Sequence, residues 1–168
     1  MINDIWGLKK DPIMAQVIAE SGVACCLMHN RKEAEYKDLL PDMVTDLQES
    51  VELALEAGIP KEKIVLDPGI GFGKAYVDNL QVLGVLDAFR QLGYPLLLGT
   101  SRKSVIGLTL DLPVEERLEG TLVTTVMAVL NGYAFVRVHD IKENVRTIRM
   151  AEAIRDGGVS LYGRNQNR

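Results

Sequence analysis

The feature that most constrains the fold is a repeat of four apolar runs, each followed at once by a polar cluster and then by a helical pattern. The runs span residues 22–27, 63–66, 94–98 and 134–136. They are continuously apolar rather than alternating, which is typical of strands buried on both faces of a parallel sheet. In such folds the functional side chains gather at the carboxyl ends of the strands. The repeat therefore predicts an α/β fold, a parallel βα repeat with one functional edge.

Between the runs, apolar residues recur every three or four positions, which predicts amphipathic helices. The predicted helices cover residues 11–22, 41–57, 78–92, 115–130 and a final segment that begins after Asp140. Asp140-Ile-Lys-Glu143 resembles a capping box, so Asp140 is predicted to cap that last helix. In the helix at 115–130 the predicted inward stripe is Leu118, Leu122, Val126 and Val129.

Composition excludes several classes of function. The 168 residues are 47% hydrophobic and 25% charged with a net charge of −4, which is ordinary for a globular protein and gives no sign of a nucleic-acid or membrane partner. The N-terminus lacks the features of a signal peptide. Cys25 and Cys26 are neighbours on one strand and point to opposite faces, so we expect both to be small buried apolar residues. A cytoplasmic protein that acts on small molecules is expected.

The number of repeats leaves two architectures open. There are four complete predicted strands, and Ile2-Asn-Asp4 resembles the remainder of a fifth. A closed (β/α)8 barrel takes about 250 residues, whereas an open doubly wound sheet of five strands is self-sufficient. The spacing of Gly69, Gly71 and Gly73 could suggest a dinucleotide site, but these glycines open no helix in a first βαβ unit and no ribose-binding acid follows.

One cluster has the chemistry of an anion site. In Leu98-Gly-Thr-Ser-Arg-Lys-Ser104, two cations and three hydroxyls lie between a predicted strand and the start of a helix. Free N–H groups and partial positive charge at a helix N-terminus favour anions. This stretch alone fits an ordinary strand-to-helix turn equally well.

Five motifs in order carry a resemblance to a known family. They are Ile2-Asn-Asp-Ile5, Leu27-Met-His29, Leu66-Asp-Pro-Gly-Ile-Gly-Phe-Gly-Lys74, Leu98-Gly-Thr-Ser-Arg-Lys-Ser104 and Val136-Arg-Val-His-Asp140. Together they resemble the dihydropteroate synthases, transferases of folate biosynthesis that condense 6-hydroxymethyl-7,8-dihydropterin pyrophosphate with p-aminobenzoate and are sulfonamide targets. The resemblance covers residues 1–155, and residues 156–168 are predicted to be a flexible tail.

The resemblance implies a TIM (β/α)8 barrel, of which this chain would supply the part that corresponds to strands 4–8. It also implies a Mg²⁺ ion, whose family ligand lies on the first strand, so no metal ligand is assigned in this chain. An open partial barrel exposes apolar surface and sheet edges, so a homodimer or swapped oligomer is expected. The alternatives are a non-catalytic or weakly active fragment that binds pterin or needs a partner chain, and a related pterin-binding methyltransferase.

The resemblance assigns the pterin site to side chains at the ends of the predicted strands. Asp67 and Asn3 would bind the pterin ring, and Lys103 would hold its carbonyl and ring nitrogen. Phe72 and Met28 would form apolar walls, and Gly99 would let the substrate approach the backbone closely.

The resemblance assigns the pyrophosphate and the carboxylate of p-aminobenzoate to other side chains. Arg137 and His139 are two apart on one strand and so point the same way, and the family uses this pair on the leaving pyrophosphate. Arg102 and Ser104 would bind the carboxylate of p-aminobenzoate. Lys103, Arg137 and His139 are accordingly the predicted catalytic residues. The reaction needs no covalent protein nucleophile, because catalysis would come from positioning and from stabilising the diphosphate.

Overall fold

The computed structural model describes residues 1–157, in which helices alternate with five short parallel strands. The strands are β1 (Ile2–Asp4), β2 (Cys25–Met28), β3 (Ile64–Asp67), β4 (Leu97–Leu98) and β5 (Phe135–Val136). The helices are α1 (Met14–Ser21), α2 (Leu39–Glu56), α3 (Tyr76–Gly84), α4 (Ser104–Leu110), α5 (Leu118–Leu130) and α6 (Ile141–Arg155). Short 3₁₀ helices cover Lys61–Lys63, Leu86–Leu92 and Val114–Glu116. The predicted α/β fold with a parallel βα repeat is confirmed.

The strands lie side by side in the order of the chain. A three-stranded ladder runs β1-β2-β3, and β4 pairs with β5. A parallel bridge between Leu66 and Leu96 joins the two sheets, and the Leu66 N–H donates to the Pro95 carbonyl at 3.0 Å. The described part of the chain therefore lacks the reversal of strand order that defines a doubly wound sheet.

The two faces of this sheet differ in what covers them. Alternate strand residues, among them Leu27, Leu66 and Leu98, pack against the helices in the main buried cluster. On the opposite face the second buried cluster contains only Cys26, Val65 and Leu97. Side chains two positions further along these strands share that second face, because strand side chains alternate. The second face therefore leads directly to the ends of the strands where the functional side chains were predicted.

Several element boundaries differ from the prediction. The α1 helix begins at Met14, because the carboxylate of Asp11 accepts the N–H of Ile13 in a turn before it. The predicted helix at 78–92 is broken, since α3 ends at Gly84 and a 3₁₀ helix follows. Both cysteines are buried and free, as predicted. Of the predicted tail, residues 158–168 lie outside the described residues. No helix within residues 1–157 is long and apolar enough to cross a membrane.

The α5 helix buries a different face from the predicted one. Its buried residues are Thr121, Thr124, Thr125, Ala128 and Val129, so only Val129 of the predicted stripe is fully buried. All three threonine hydroxyls are hydrogen-bonded. The prediction was wrong because it assumed that an apolar stripe faces the protein, whereas this helix packs through small hydroxyls that find partners.

Candidate active site at the carboxyl ends of the strands

Asp67 provides a buried carboxylate at the end of β3. The residue is 1% exposed, and its Oδ1 accepts the N–H of Gly69 at 2.8 Å. Its Oδ2 has no hydrogen-bond partner among the described residues. Burial raises the pKa of this carboxyl, against the effect of the Gly69 N–H and the nearby Arg137 guanidinium. A buried acceptor without a donor is costly unless a ligand supplies one, so Oδ2 marks a binding position.

Arg137 reaches this carboxylate from the end of β5. Its Nη2 lies 3.5 Å from Asp67 Oδ2, and its Nη1 donates to Oδ1 of Asn3. A Cβ at Gly99 would collide with the same guanidinium. The Arg137 guanidinium therefore lies over Gly99, so the close approach of a substrate expected at this glycine requires Arg137 to move.

Lys103 enters the site from the turn before α4. Its ammonium donates to the Ile70 carbonyl and lies 4.4 Å from the centroid of the Phe72 ring. Burial lowers the pKa of Lys103 to about 8, although the Asp67 carboxylate opposes that shift. The structure thus brings the predicted residues Lys103, Phe72 and Asp67 together. Met28, which pairs with Asp67 in the β2-β3 ladder, is buried beside them.

The glycines of the loop at residues 69–73 serve close packing. Gly69, Gly71 and Gly73 all have positive φ. A Cβ on Gly69 would collide with the carbonyl of His29, and a Cβ on Gly73 would meet the Arg31 backbone carbon at 3.1 Å. The loop therefore lies flat against the residues that follow β2, which explains the glycine spacing without a dinucleotide.

His139 lies at the rim, next to Ser101. The Ser101 Oγ accepts the backbone N–H of His139 at 3.2 Å and lies 2.9 Å from its Nδ1. A serine hydroxyl can donate to Nδ1 or accept from it; where it donates, the ring proton lies on Nε2, which can then donate to a ligand. The cavity here has a volume of about 150 Å³. Its lining residues are Gly99, Ser101, Lys103, Arg137, Val138 and His139.

Arg102 and Ser104 are placed differently from the other predicted site residues. Arg102 has a φ of +57°, and its guanidinium forms two bonds to the Asp140 carboxylate, of 3.0 Å (Nε–Oδ2) and 2.5 Å (Nη2–Oδ1). Asp140 precedes α6, but its side chain makes no capping bond, so the predicted capping box is wrong. Its carboxylate holds Arg102 instead. Ser104 is the first residue of α4 and is exposed.

Comparisons with known proteins agree with this geometry. The family described as pterin binding enzyme matches residues 1–139. The chain belongs to the pterin-binding enzyme family. The dihydropteroate synthase of Clostridium beijerinckii is 56% identical over 155 residues, which are 92% of this chain and 58% of that protein. That of Bacillus subtilis is 56% identical over 163 residues, which are 97% of this chain and 57% of that protein. The family resemblance predicted from the motifs is confirmed.

Solved structures give the same result. A crystal structure of the dihydropteroate synthase of Clostridium difficile, determined in the presence of pteroic acid, has a TM-score of 0.90 and 49% identity, covering 92% of this chain and 59% of that one. The Yersinia pestis enzyme in complex with a sulfonamide drug has a TM-score of 0.88 and 37% identity, covering 93% and 59%. The chain therefore spans less than two thirds of the length of these relatives.

One set of residues in this pterin-binding family member was not predicted from its sequence. Lys74 lies directly after the glycine loop, and its Nζ is 2.9 Å from Nδ1 of His29. On the other side of the ring, Nε2 of His29 is 3.0 Å from Oδ2 of Asp46, which also accepts Arg31 Nε at 2.6 Å. Burial lowers the pKa of Lys74 to about 7 and that of His29 to about 4. The sequence signal was only that Lys74 ends the loop motif.

The second unpredicted set holds the turn that carries Lys103. The N–H of Arg102 donates to Oγ1 of Thr121 at 3.0 Å, and Nη1 of Arg117 donates to the Arg102 carbonyl at 3.0 Å. Thr100 and Thr124 join their hydroxyls at 2.6 Å. The polar face of α5 thus fixes the backbone of the turn from which Lys103 projects.

Proposed function

We propose that this chain carries the pterin- and diphosphate-binding part of a dihydropteroate synthase, a transferase of folate biosynthesis. The reaction joins 6-hydroxymethyl-7,8-dihydropterin pyrophosphate and p-aminobenzoate to give dihydropteroate and pyrophosphate. The observation that carries the proposal is the buried Oδ2 of Asp67, which has no donor among the described residues and has Lys103 and Arg137 close by. The similarity to dihydropteroate synthases over more than nine tenths of the chain supports it.

The pterin ring fits this carboxylate. A pterin presents a 2-amino-pyrimidinone edge with two parallel N–H donors, which match the two oxygens of a carboxylate. Lys103 would donate to the ring carbonyl and neighbouring nitrogen, and the amide of Asn3 would add one donor and one acceptor. Phe72 and Met28 supply apolar contact. To expose Asp67 and Asn3 to the ring, the Arg137 guanidinium has to move away from both.

The diphosphate would then be held by Arg137 together with His139. The guanidinium supplies two parallel donors, and Nε2 of His139 supplies a third. In the reaction, the amine nitrogen of p-aminobenzoate forms a bond to the pterin methylene carbon while the carbon–oxygen bond to the diphosphate breaks. The electron pair leaves on the diphosphate, and the amine loses a proton to solvent. Arg137 and His139 stabilise the charge that develops on the leaving group.

The p-aminobenzoate carboxylate is proposed to bind near Arg102 and Ser104. The Ser104 hydroxyl is exposed at the start of α4 and is free of hydrogen bonds to other described residues in this position. Arg102 would have to exchange part of its contact with Asp140 for the substrate carboxylate. This assignment rests on the family resemblance.

Mg²⁺ is part of the expectation from the family, but the described residues do not form a complete metal site of their own. Within residues 1–157, no group of three or more His, Cys, Asp or Glu side chains could hold a metal ion. We therefore derive no step of the reaction through a metal.

The proposed architecture is an incomplete (β/α)8 barrel, with these five strands corresponding to strands 4–8. Strand order that follows the chain, and helices packed on one face only, are the properties of a barrel wall. The second face, with Cys26, Val65 and Leu97, would line the interior. Phe135 is 45% exposed on β5, so apolar surface is left for a homodimer, a swapped oligomer or a partner chain to cover.

Two alternatives remain in view. A chain that binds pterin without catalysing the reaction would have the same Asp67 site. An assay for dihydropteroate distinguishes this alternative from a synthase. A pterin-binding methyltransferase is disfavoured, because a methyl transfer has no use for the cationic and imidazole donors that Arg137 and His139 place at one rim.

The decisive experiment is calorimetric titration of the chain with 6-hydroxymethyl-7,8-dihydropterin pyrophosphate. We expect saturable binding that Asp67→Asn abolishes, because the amide removes the acceptor charge while keeping the shape. Asp87→Asn, at an exposed position outside the site, is the matched control and should bind as the wild type does. Wild-type binding by Asp67→Asn would overturn the proposal. Formation of dihydropteroate after addition of p-aminobenzoate then separates the synthase from the binding-only alternative.

A further inference from the structure

Lys74 ties the loop at residues 69–73 to the end of the neighbouring strand. Its ammonium donates to the carbonyls of Gly69 at 3.0 Å and Phe72 at 2.9 Å, and it lies 2.9 Å from Nδ1 of His29. One side chain therefore holds two points of the loop against the residue that follows β2.

The direction of these hydrogen bonds is fixed by their chemistry. Below pH 7 Lys74 is mainly an ammonium, which has donors only, so Nδ1 of His29 accepts and the ring proton lies on Nε2. Nε2 then donates to Oδ2 of Asp46, which is 3.0 Å away. Three acceptors surround the three N–H groups of Lys74, so the charged ammonium is fully satisfied. The chain from Asp46 through His29 to Lys74 is a single ordered arrangement.

The loop in turn holds Lys103. The Ile70 carbonyl accepts from the Lys103 ammonium, and the Phe72 ring lies against the same group at 4.4 Å. Both contacts come from the stretch whose flanking carbonyls, at residues 69 and 72, are bound by Lys74. The position of the Lys103 ammonium beside Asp67 thus depends on Lys74 through the loop.

We propose that Lys74, oriented by His29 and Asp46, is a positioning residue for Lys103: it fixes the loop at residues 69–73 and thereby sets where the Lys103 ammonium lies. The role of Lys103 in binding pterin rests on the function proposed above. The dependence of Lys103 on Lys74 is a property of the chain without ligand, so it can be measured separately.

Other contacts keep the loop attached when Lys74 is lost. The side-chain oxygen of Asn79 on α3 accepts the N–H of Gly71 at 2.6 Å, and the Tyr36 hydroxyl donates to the Gly73 carbonyl. Removing the Lys74 ammonium should therefore loosen the carbonyls of residues 69 and 72 without unfolding the helices on either side. The expected effect is local.

The first test measures how fast Lys103 reacts with a limiting amount of acetic anhydride, read by peptide mass spectrometry. In Lys74→Met the side chain is one atom shorter, stays flexible and loses its donors, and we expect Lys103 to react about tenfold faster. Lys63→Met is the matched control, because the Lys63 ammonium also donates to one backbone carbonyl, that of Gly22, but before β3 rather than after it. It should leave the Lys103 rate unchanged. An unchanged rate in folded Lys74→Met would overturn the proposal.

A second pair of variants keeps the test decisive if Lys74→Met does not fold. His29→Asn places an amide oxygen near the position of Nδ1 and so preserves an acceptor for Lys74, whereas His29→Leu removes it. We expect slow labelling of Lys103 in the first variant and fast labelling in the second, and equal rates would contradict the inference.

The histidine rings give an independent readout. The chain has only two histidines, so the imidazole ¹⁵N spectrum is simple to assign. We expect an unprotonated Nδ1 and a protonated Nε2 for His29, and loss of this tautomer preference in Lys74→Met. A protonated Nδ1 in the wild type would refute the arrangement, since it cannot accept from an ammonium.

Pterin binding separates this inference from the proposed function. A wild-type chain that fails to bind the pterin pyrophosphate would count against the proposed function, while the labelling rates would still decide the role of Lys74. If the wild type binds, Lys74→Met should bind more weakly and Lys63→Met equally well. Equal binding by Lys74→Met would exclude the positioning role and leave the pterin site intact.

Discussion

Nη2 of Arg137 lies 3.5 Å from Oδ2 of Asp67, so the guanidinium covers the carboxylate oxygen without forming a good hydrogen bond to it. The Arg137 side chain is 42% exposed and that of Asp67 is 1% exposed. A half-exposed cation therefore shields a buried carboxylate. In the proposed reaction the pterin takes over the carboxylate, and the released guanidinium turns to the diphosphate.

This exchange predicts that Arg137→Gln has opposite effects on the binding of the diphosphate and of the pterin ring. We expect its affinity for the pterin pyrophosphate to fall by about tenfold or more, because a charge-assisted pair of donors is lost. Its affinity for the pterin alcohol without diphosphate should stay the same or rise, because Asp67 and Asn3 are no longer covered. Calorimetry with both ligands checks this, and Arg90→Gln, an exposed arginine outside the site, serves as control. Equal losses for both ligands would contradict the exchange.

The protonation of Lys103 predicts a pH limit for binding. Burial lowers the pKa of Lys103 to about 8. The charged groups near it include Asp67, which favours the ammonium, and the cations Arg137 and Lys74, of which Arg137 lowers the pKa of Lys103. Only the ammonium donates with a full charge, so pterin affinity should fall by up to about tenfold per pH unit as the pH rises above about 8. Titrations at a series of pH values test this.

Lys103→Arg provides the control for that pH limit. A guanidinium stays charged throughout this range, so the loss of affinity above about pH 8 should disappear in the variant even if its binding is weaker overall. A decline of the same steepness in both proteins would assign the pH dependence to another group.

Much of the fold was predictable from sequence because burial on both strand faces leaves continuous apolar runs. The apolar run at 63–66 lies within one residue of β3 (Ile64–Asp67), and Gly22 ends α1 in the left-handed conformation as a C-cap glycine should. What sequence patterns could not predict was the polar packing of α5. A pattern that places only apolar residues in the core assigns Thr121 and Thr124 to the surface. Only the folded chain shows that their hydroxyls form hydrogen bonds to Arg102 and Thr100 in the turn before α4.

The candidate site likewise contains residues that the sequence predicted and residues that it did not. Side chains that follow strand ends, such as Asp67 and Arg137, were predictable because parallel strands bring their carboxyl ends to one edge. Asp46 was not, because it lies within α2 and meets His29 only through packing of that helix on the sheet. Asp140 was assigned a capping role on local pattern alone, while a distant partner, Arg102, takes its carboxylate. Contacts between residues far apart in sequence leave no local signal.

The burial of His29 predicts a loss of stability in mild acid. Burial lowers the pKa of His29 to about 4, below the ordinary value of 6.5. Between those values the unfolded chain binds a proton that the folded chain does not, so the free energy of unfolding falls as the pH is lowered from 6.5 towards 4. The contribution of this group is about 2–3 kcal/mol. Although burial raises the pKa of Asp46, hydrogen bonds with His29 and Arg31 hold it below its ordinary range, which adds a loss of the same sign at lower pH.

Urea unfolding near pH 7 and near pH 4 measures this loss. His29→Asn should be less sensitive to pH over that interval, because it has no group that titrates there. Gln91→Asn, at an exposed position without a titratable group, provides the comparison and should keep the full acid sensitivity of the wild type. Identical pH profiles for the wild type and His29→Asn would show that the buried imidazole is not the titrating group.

Ser101 is predicted to set the direction in which His139 donates. Its hydroxyl accepts the His139 N–H at 3.2 Å and lies 2.9 Å from Nδ1, so it holds the ring with Nε2 available to the diphosphate. In Ser101→Ala the ring loses this partner, and the proton can move between the two nitrogens. We expect weaker binding of inorganic pyrophosphate, by about fivefold to tenfold, together with a mixed tautomer in the imidazole ¹⁵N spectrum. His139→Ala should bind pyrophosphate at least as weakly, and adding Ser101→Ala to it should cause little further loss, because the serine acts through the histidine. Independent, additive losses would instead mean that the Ser101 hydroxyl contacts the ligand itself.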